Sequence, residues 1–557
     1  MTATAAPEEP VETVSDTSLA SNSKENLHTG LETFDAPSVG HGIPIVGVEG
    51  IDPIFEAKSR AISEAIQHMG WGWYQTKLFV LSGFGWFVDN MFMAAVSATL
   101  PTIRIEFNPP NQGVFLCLGQ QMGLLVGAFV FGLGSDAIGR TLSFNMTLLL
   151  AGIFGFAVAG GPNYIGVAFL MAVVGLGAGG NMPINSALFL EFCPQKQQWV
   201  LAVLSVWWSL SSAFLAFLAW PFLLHFSCPL ETPWGECPRS QNMGWRYLYI
   251  TIATFTLTVW MVRFFFFKLH ESPKYLLAQG RDAEAVAVID AIAKQNGKEN
   301  TVSVHKLAKI EAEVRLNLGL PPIVEVGEEK EVSERKGALA ETAEMFVKSC
   351  SILSGKQIKS LFATKKLAFS TAMVMLLWMT LSISWNTYNL FLPVFIAQQG
   401  IDSGKPSLNI TYRNYALIGV CQIPGSFIGG WLIERKALGR RGALGLASLL
   451  SGAFLFGYTQ AKSQNVSLGF QCASAVMQNI IWGILYTYTP EIFPSPQRGT
   501  GVGLCSCLSN LASCFAPVLG YYSNVGKTTI YVCGSLFVFA SGLVTILPYE
   551  SRGTAAL

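Results

Sequence analysis

The 557-residue chain predicts an all-α polytopic membrane protein, with twelve transmembrane helices in two pseudo-symmetric six-helix bundles. Three observations lead there. Hydrophobic residues make up 51% of the chain and charged residues only 13%, about half the charge of an average soluble domain. Twelve apolar stretches are each long enough to cross about 30 Å of hydrocarbon as a helix. Short polar signatures also recur, in the same order, after matching spans of the two halves.

The N-terminal stretch is polar, acidic and serine-rich, with no basic segment leading into an apolar core. It reads as a disordered tail rather than a cleaved signal. From Ile51 to Met69, apolar residues recur at helical spacing. That pattern suits a short helix on the membrane surface and a soluble docking helix equally. Six spans follow at roughly 79–100, 113–134, 142–160, 164–190, 199–225 and 246–267, and six more at roughly 367–397, 413–433, 442–461, 466–488, 500–521 and 527–548. The domains are therefore a tail with its amphipathic helix (1–77), an N-terminal bundle (78–267), a central loop (268–366), a C-terminal bundle (367–548) and a short tail (549–557). The central loop holds helical pieces near Ala283–Lys294 and Val304–Leu316, then an acidic run of low order.

Lys and Arg concentrate in the even-numbered connections, which places both termini and the central loop in the cytosol. Cys228 and Cys237 then share an outside loop, where a disulfide can form. The sequons at Asn409 and Asn465 also fall outside, as glycosylation candidates. The membrane is the plasma membrane or an endomembrane such as a vacuole or vesicle. No cysteine or histidine pattern suggests a metal, nothing implies a cofactor, and a net charge of +1 implies no nucleic-acid partner. With no phosphate-cradling loop and no activated nucleophile, the chain reads as neither an enzyme nor a primary pump. Partner proteins are unknown.

The repeated signatures are explicit. Gly132-Leu-Gly-Ser-Asp136-Ala-Ile-Gly139-Arg140 follows span two, and Gly430-Trp-Leu-Ile-Glu434 leading to Gly439-Arg440-Arg441 follows span eight. Span four ends Glu191-Phe-Cys-Pro194 and span ten Glu491-Ile-Phe-Pro494. His270-Glu271-Ser272-Pro273 follows span six, and Tyr549-Glu550-Ser551-Arg552 follows span twelve. Duplicated six-span halves in parallel are the plan of the major facilitator superfamily, which the chain resembles over nearly all of residues 70–553. The stretch from Ala65 to Leu78 and Gly179-Gly-Asn-Met-Pro183 resemble its metabolite:proton symporter and synaptic-vesicle-protein-like branches, near the sugar porters. The Arg-Gly pair of sugar porters in span four is absent, as is their glutamine pattern in span seven.

Asp89 is the wrong-looking residue of span one. A carboxylate at mid-membrane costs roughly 2.5–3.5 kcal/mol on insertion scales, so such residues face a bundle interior or a polar path. Counting at about 1.5 Å per residue from helix ends sets Asn181, Trp208, Gln422, Gln478, Asn479 and Asn510 near the same depth. Trp385, Asn386 and Tyr388 lie further out on span seven, which the resemblance implies can break and close over a substrate. Gln120 and Gln121 are similarly placed in span two. Trp482, nearer the cytosol, reads as packing. No Lys or Arg is counted near mid-depth, Arg246 and Arg263 only flanking span six, so a phosphate or dicarboxylate substrate is not expected.

The signatures supply a second set: Asp136, Arg140, Glu191 and Glu271 in one half, and Glu434, Arg440, Glu491, Arg498 and Glu550 in the other, as charge clusters bracing an inner gate. The function expected is secondary active transport of a small neutral or weakly cationic organic solute by alternating access, with protons coupled at Asp89. The alternatives are a uniporter and a non-transporting nutrient sensor on the same fold.

Overall fold

The computed structural model describes residues 53–109, 113–133, 140–229, 232–233, 235–266, 270–321, 361–402, 407–493, 498–522 and 526–548. The acidic central run, Asp136 and Glu550 lie outside them. Among the described residues, eleven helical segments are long and apolar enough to span a membrane, and a shorter apolar stretch, Ser143–Ala159, supplies the remaining position. The arrangement is two pseudo-symmetric bundles of six.

Span one runs Trp73–Phe107 and stops at Asn108, whose φ of 42° turns the chain out of the helix. Span two, Val114–Gly127, continues as a π-helical turn, Ala128–Leu133. Spans three to six are Arg140–Ala159, Tyr164–Phe192, Val206–His225 (preceded by the single turn Val200–Val203) and Gly244–Phe266. Side-chain caps start several helices: Asn163 accepts from Gly166 N, Thr364 from Leu367 N and Ser463 from Val466 N.

In the second half, three spans are broken near a proline. Span seven (Lys365–Leu390) resumes as Leu392–Asp402 around Pro393. Span eight (Leu408–Cys421) resumes as Ile423–Ile433 around Pro424, and span eleven (Arg498–Ser513) as Phe515–Tyr522 around Pro517. Proline lacks the N–H that would continue the ladder. Spans nine, ten and twelve are unbroken at Gly439–Gln460, Gln464–Ile492 and Lys527–Ile546.

Spans two and four pack backbone against backbone. A Cβ on Gly123 would strike Ala172 O, and one on Gly179 would strike Leu124 O. Small residues at such a seam permit the close approach that dispersion forces need in lipid.

One end of the molecule carries a cap of short helices, Pro273–Ala278, Asp282–Gln295 and Val304–Asn317. The predicted amphipathic helix, Pro53–Met69, docks on these rather than standing alone. Its Ile62, Ile66 and Met69 are buried, and Lys58 Nζ lies 2.5 Å from both Asp282 Oδ2 and Glu311 Oε2. Burial disfavours the Lys58 charge, yet hydrogen bonds to the two carboxylates outweigh it and raise its pKa above the ordinary 10.5. Burial also opposes the Glu311 charge, and hydrogen bonds from Lys58 and Arg315 outweigh it, holding that carboxyl below 4.5. Asn296 ties cap to membrane helices: its Oδ1 accepts from Tyr74 N and its Nδ2 donates to Gln75 Oε1, both at 2.9 Å. Gln75 Nε2 in turn donates to Phe192 O at the end of span four.

At the opposite end a disulfide joins Cys228 to Cys237, with Cα atoms 6.3 Å apart. Beside it, span one is fastened to span six. Glu106 accepts from both terminal nitrogens of Arg246 at 2.8 and 2.6 Å, from Trp245 Nε1 at 2.9 Å and from Asn242 Nδ2 at 3.0 Å. Asn409 and Asn465 begin spans eight and ten at this end; Asn409 Oδ1 accepts from Trp220 Nε1 at 2.8 Å.

Candidate functional site

Asp89 sits halfway along span one and is 1% exposed. Its Oδ2 accepts from Asn181 Nδ2 at 2.9 Å, and Asn181 Oδ1 is 3.5 Å from the Thr147 hydroxyl. Gly85, one turn earlier, leaves space that the Asn181 and Asn185 carboxamides fill; a Cβ there would collide with both. Asp89 Oδ1 has no hydrogen-bond partner. Its neighbour Asn90 donates to Trp208 O at 2.9 Å and to Ser212 Oγ at 2.8 Å, fixing span one against span five.

Two adjoining cavities lie between the halves. One is lined by Asp89, Trp208, Trp385, Trp482, Tyr486 and Asn510 among others. The other is rich in carboxamides, with Asn90, Gln120, Gln121, Asn386, Asn389 and Gln422. Asn90, Met93, Trp385 and Asn386 belong to both.

An aromatic wall closes the first cavity toward the cap. Trp86 and Trp208 from the N-terminal bundle meet Tyr486 with centroids 5.0 and 5.4 Å apart. Trp378 meets Tyr486 at 4.8 Å, and Trp482 stands edge-on to Trp208 at 6.0 Å and to Trp385 at 5.8 Å. Tyr486 OH reaches Met182 Sδ at 3.2 Å, and Ser205 donates to Ser426 at 3.0 Å, both across the halves. Toward the disulfide end, Ser97 Oγ donates to Asn389 O and Leu390 O at 2.9 Å, and Tyr412 OH to Ala98 O at 3.2 Å. Gln121 Nε2 meets Asn386 Oδ1 at 3.2 Å. Every contact in this set is a neutral hydrogen bond or ring edge, worth about a kilocalorie per mole or less, so either side can part at modest cost.

Of the residues singled out from sequence, Asp89, Trp208, Trp385, Asn386, Gln422 and Asn510 line the cavities. Four others do not. Asn181 stands behind Asp89. Tyr388 is fully buried, with its ring stacked on Phe395. Gln478 bridges Ser474 and Asn389, and Asn479 bonds Gln422 O and Ser426. Trp482 is the reverse case: read as packing, it faces the cavity. Asn90, which the count from helix ends did not pick out, lines both cavities.

Arg263, counted as flanking span six, does lie in its last turn, but its side chain is 3% exposed, with the guanidinium over the Phe144 ring. Asp89 is therefore not the only fixed charge inside the N-terminal bundle.

Of the signature charges of the second half, Arg440 and Glu491 form a buried pair with the exposed Glu434 beside it. Arg440 Nε and Nη2 each lie 3.2 Å from a Glu491 oxygen, and Nη1 lies 3.5 Å from Glu434. In the first half, Glu271 accepts from Ser272 N at 3.3 Å and Glu191 is half-buried at the end of span four. Arg140 and Arg498 open spans three and eleven, their side chains outside the described set. Among the described residues no group of three or more His, Cys, Asp or Glu is placed to hold a metal.

The family model of the Major Facilitator Superfamily matches residues 79–517, with a second match over 381–556. The chain is 41% identical over 510 residues to "MFS siderochrome iron transporter 1" of Ceriporiopsis subvermispora, covering 91% of this chain and 93% of that one. It is 26% identical to "Organic cation/carnitine transporter 7" of Arabidopsis thaliana, covering 88% and 95%. Among solved structures, the proton:xylose symporter XylE bound to 6-bromo-6-deoxy-D-glucose superposes with a TM-score of 0.62 at 15% identity, covering 87% of this chain and 98% of XylE. The last likeness speaks to fold alone. Fold, family model and full-length relatives agree: the chain belongs to the Major Facilitator Superfamily and is a multi-pass membrane transporter, not an enzyme.

Proposed function

We propose that this transporter moves a small neutral or weakly cationic organic solute by alternating access, and that Asp89 carries a proton in the same cycle. The observation that carries the reading is a buried carboxyl group on the wall of a cavity shared by the two halves, with one oxygen held by Asn181 and the other unbound. A carboxyl so placed can gain or lose a proton only when the cavity opens to water, which is what coupling requires. Four aromatic rings beside it suit a planar or cationic group, and the carboxamide-lined cavity suits hydroxyl, amide or carbonyl groups on the remainder. The printed name of the Arabidopsis relative, an organic cation/carnitine transporter, agrees with a weakly cationic solute.

The cap end is the cytosolic one, because basic residues dominate its connections. Solute and proton enter from the disulfide end when the Ser97 and Tyr412 contacts part. They leave at the cap end when the aromatic wall and the Arg440–Glu491–Glu434 cluster rearrange.

A solute panel in a thermal-shift screen on purified protein at two pH values identifies a ligand through stabilisation of the folded state. Asp89→Asn in proteoliposomes then tests the reading with that ligand. Exchange persists and uphill accumulation is lost; full, pH-independent accumulation by the variant rejects Asp89 as the coupling group.

A further inference from the structure

Arg104 lies in the last turn of span one, at the disulfide end, and is 8% exposed. Its Nε is fully enclosed without a partner, and among the described residues no acceptor meets the guanidinium. The carboxylate two positions on is already engaged: both Glu106 oxygens accept from Arg246, and one also from Trp245. A buried cation gives up hydration that only an anion returns in full.

The guanidinium abuts the start of span two. Gly113 precedes Val114–Gly127 with a φ of 78°, and a Cβ there would lie 3.4 Å from Arg104 Nε. Gly113 has no side chain with which to cap the helix. Tyr164, which opens span four, supplies the acceptor instead, taking the Leu116 N–H at 2.9 Å. The hydroxyl proton of Tyr164 has no acceptor among the described residues and is left to be donated. A buried cation, a phenolic donor and the positive end of a helix are thus brought together by three spans.

We propose that this corner of the N-terminal bundle is a binding site for a phosphate group, held by the Arg104 guanidinium and the Tyr164 O–H at the N-terminus of span two. The planar fork of an arginine matches a pair of phosphate oxygens. The depth suits one as well. Arg104 is 15 residues beyond Asp89 on the same helix, about 22 Å along its axis, against about 15 Å of hydrocarbon on either side of mid-membrane. A lipid headgroup and free phosphate both carry this chemistry. Beside the donors, Phe115, Ile165 and Phe169 are exposed, a surface along which an acyl chain can lie. The site is separate from the solute route, since neither Arg104 nor Tyr164 lines either cavity. A phosphate there ties the end of span one to the starts of spans two and four.

The test is thermal unfolding of the purified full chain in an uncharged detergent at fixed ionic strength. The probes are inorganic phosphate, dihexanoyl phosphatidic acid below its micellar concentration, and dihexanoylglycerol, which has the chains without the phosphate. The unfolding midpoint of wild-type protein rises saturably with a phosphate-bearing probe. Arg104→Gln raises the half-saturating concentration at least about tenfold, and Arg104→Lys, which keeps the charge, raises it less. Saturation by inorganic phosphate upholds the site as one for the free anion; saturation by phosphatidic acid alone upholds it as one for a headgroup. The proposal is overturned if neither probe saturates, if dihexanoylglycerol acts as well as phosphatidic acid, or if Arg104→Gln titrates like wild type. If Arg104→Gln does not fold, Tyr164→Phe decides: it keeps the ring and removes the O–H, so half-saturation moves several-fold upward, and an unmoved value overturns the proposal. The half-saturating concentration separates binding from a loss of stability alone, which lowers the midpoint without moving it.

Discussion

Replacing Glu106 by leucine removes the single acceptor that organises four donors at the disulfide end. Arg246 loses both charge-assisted bonds and keeps only the Asn242 carbonyl at 3.1 Å, Trp245 Nε1 loses its acceptor, and Asn242 Nδ2 keeps only Thr102 O at 2.9 Å. Both side chains of the ion pair are nearly inaccessible, at 2% and 6% exposure. Breaking a buried pair from one side costs about 3–5 kcal/mol, because the survivor is an uncompensated charge. Replacing both partners with apolar residues of similar volume is often close to neutral. Glu106→Leu therefore lowers the thermal unfolding midpoint in detergent sharply, and Glu106→Leu with Arg246→Met recovers most of the loss. The readout is intrinsic fluorescence on size-exclusion-purified monodisperse protein. A single variant as stable as the parent, or a double variant no better than the single, refutes the assignment of the cluster as a charge-matched clasp between spans one and six.

Lys58→Met leaves Asp282 and Glu311 facing each other without their shared cation, so hydrogen exchange across Pro53–Met69 speeds up at neutral pH; unchanged exchange contradicts the docking argument. The same segment responds to acid. Because the Glu311 carboxyl sits below 4.5 when folded, its contribution is complete above that pH and is lost as pH falls through the folded value, so protection of the segment, taken relative to the intrinsic exchange rate at each pH, falls on acidification below about 4.5. Trp482→Ala removes ring edges from Trp208, Trp378 and Trp385 at the cavity wall. Ligand affinity falls roughly tenfold, matching the loss of about 1–2 kcal/mol of stacking or cation–π contact. A concentration-dependent thermal shift identical to wild type would place the solute elsewhere.

The membrane helices were legible because apolar length is a one-dimensional signal: each predicted span overlaps an observed helix, with edges moved by a few residues. The helix breaks at Pro393, Pro424 and Pro517 were visible as prolines but not located in the prediction. Asp89 stood out because a charge in lipid is expensive whatever surrounds it. The carboxamides were harder. A span buried on most sides lacks a polar face to set its phase, so Asn181 could not be told from Ala178 or Met182, which do line a cavity, nor Gln478 from Trp482, one turn on. Counting set Arg263 in the last turn of span six, where it lies, but arginine there usually snorkels to water, and the Phe144 ring that covers it instead belongs to another span. The Lys58 contacts join residues 224 and 253 positions apart, a pairing that no local pattern encodes.

Proton movement measured beside solute movement is the most direct test of the coupling claim. Proteoliposomes loaded with a pH-sensitive dye, held at zero membrane potential, receive the solute identified by thermal shift from outside. The account predicts that the lumen acidifies as the solute enters through wild-type protein, and that Asp89→Asn exchanges solute with no change in luminal pH. Solute entry through wild-type protein without acidification, or acidification that survives Asp89→Asn, would contradict it.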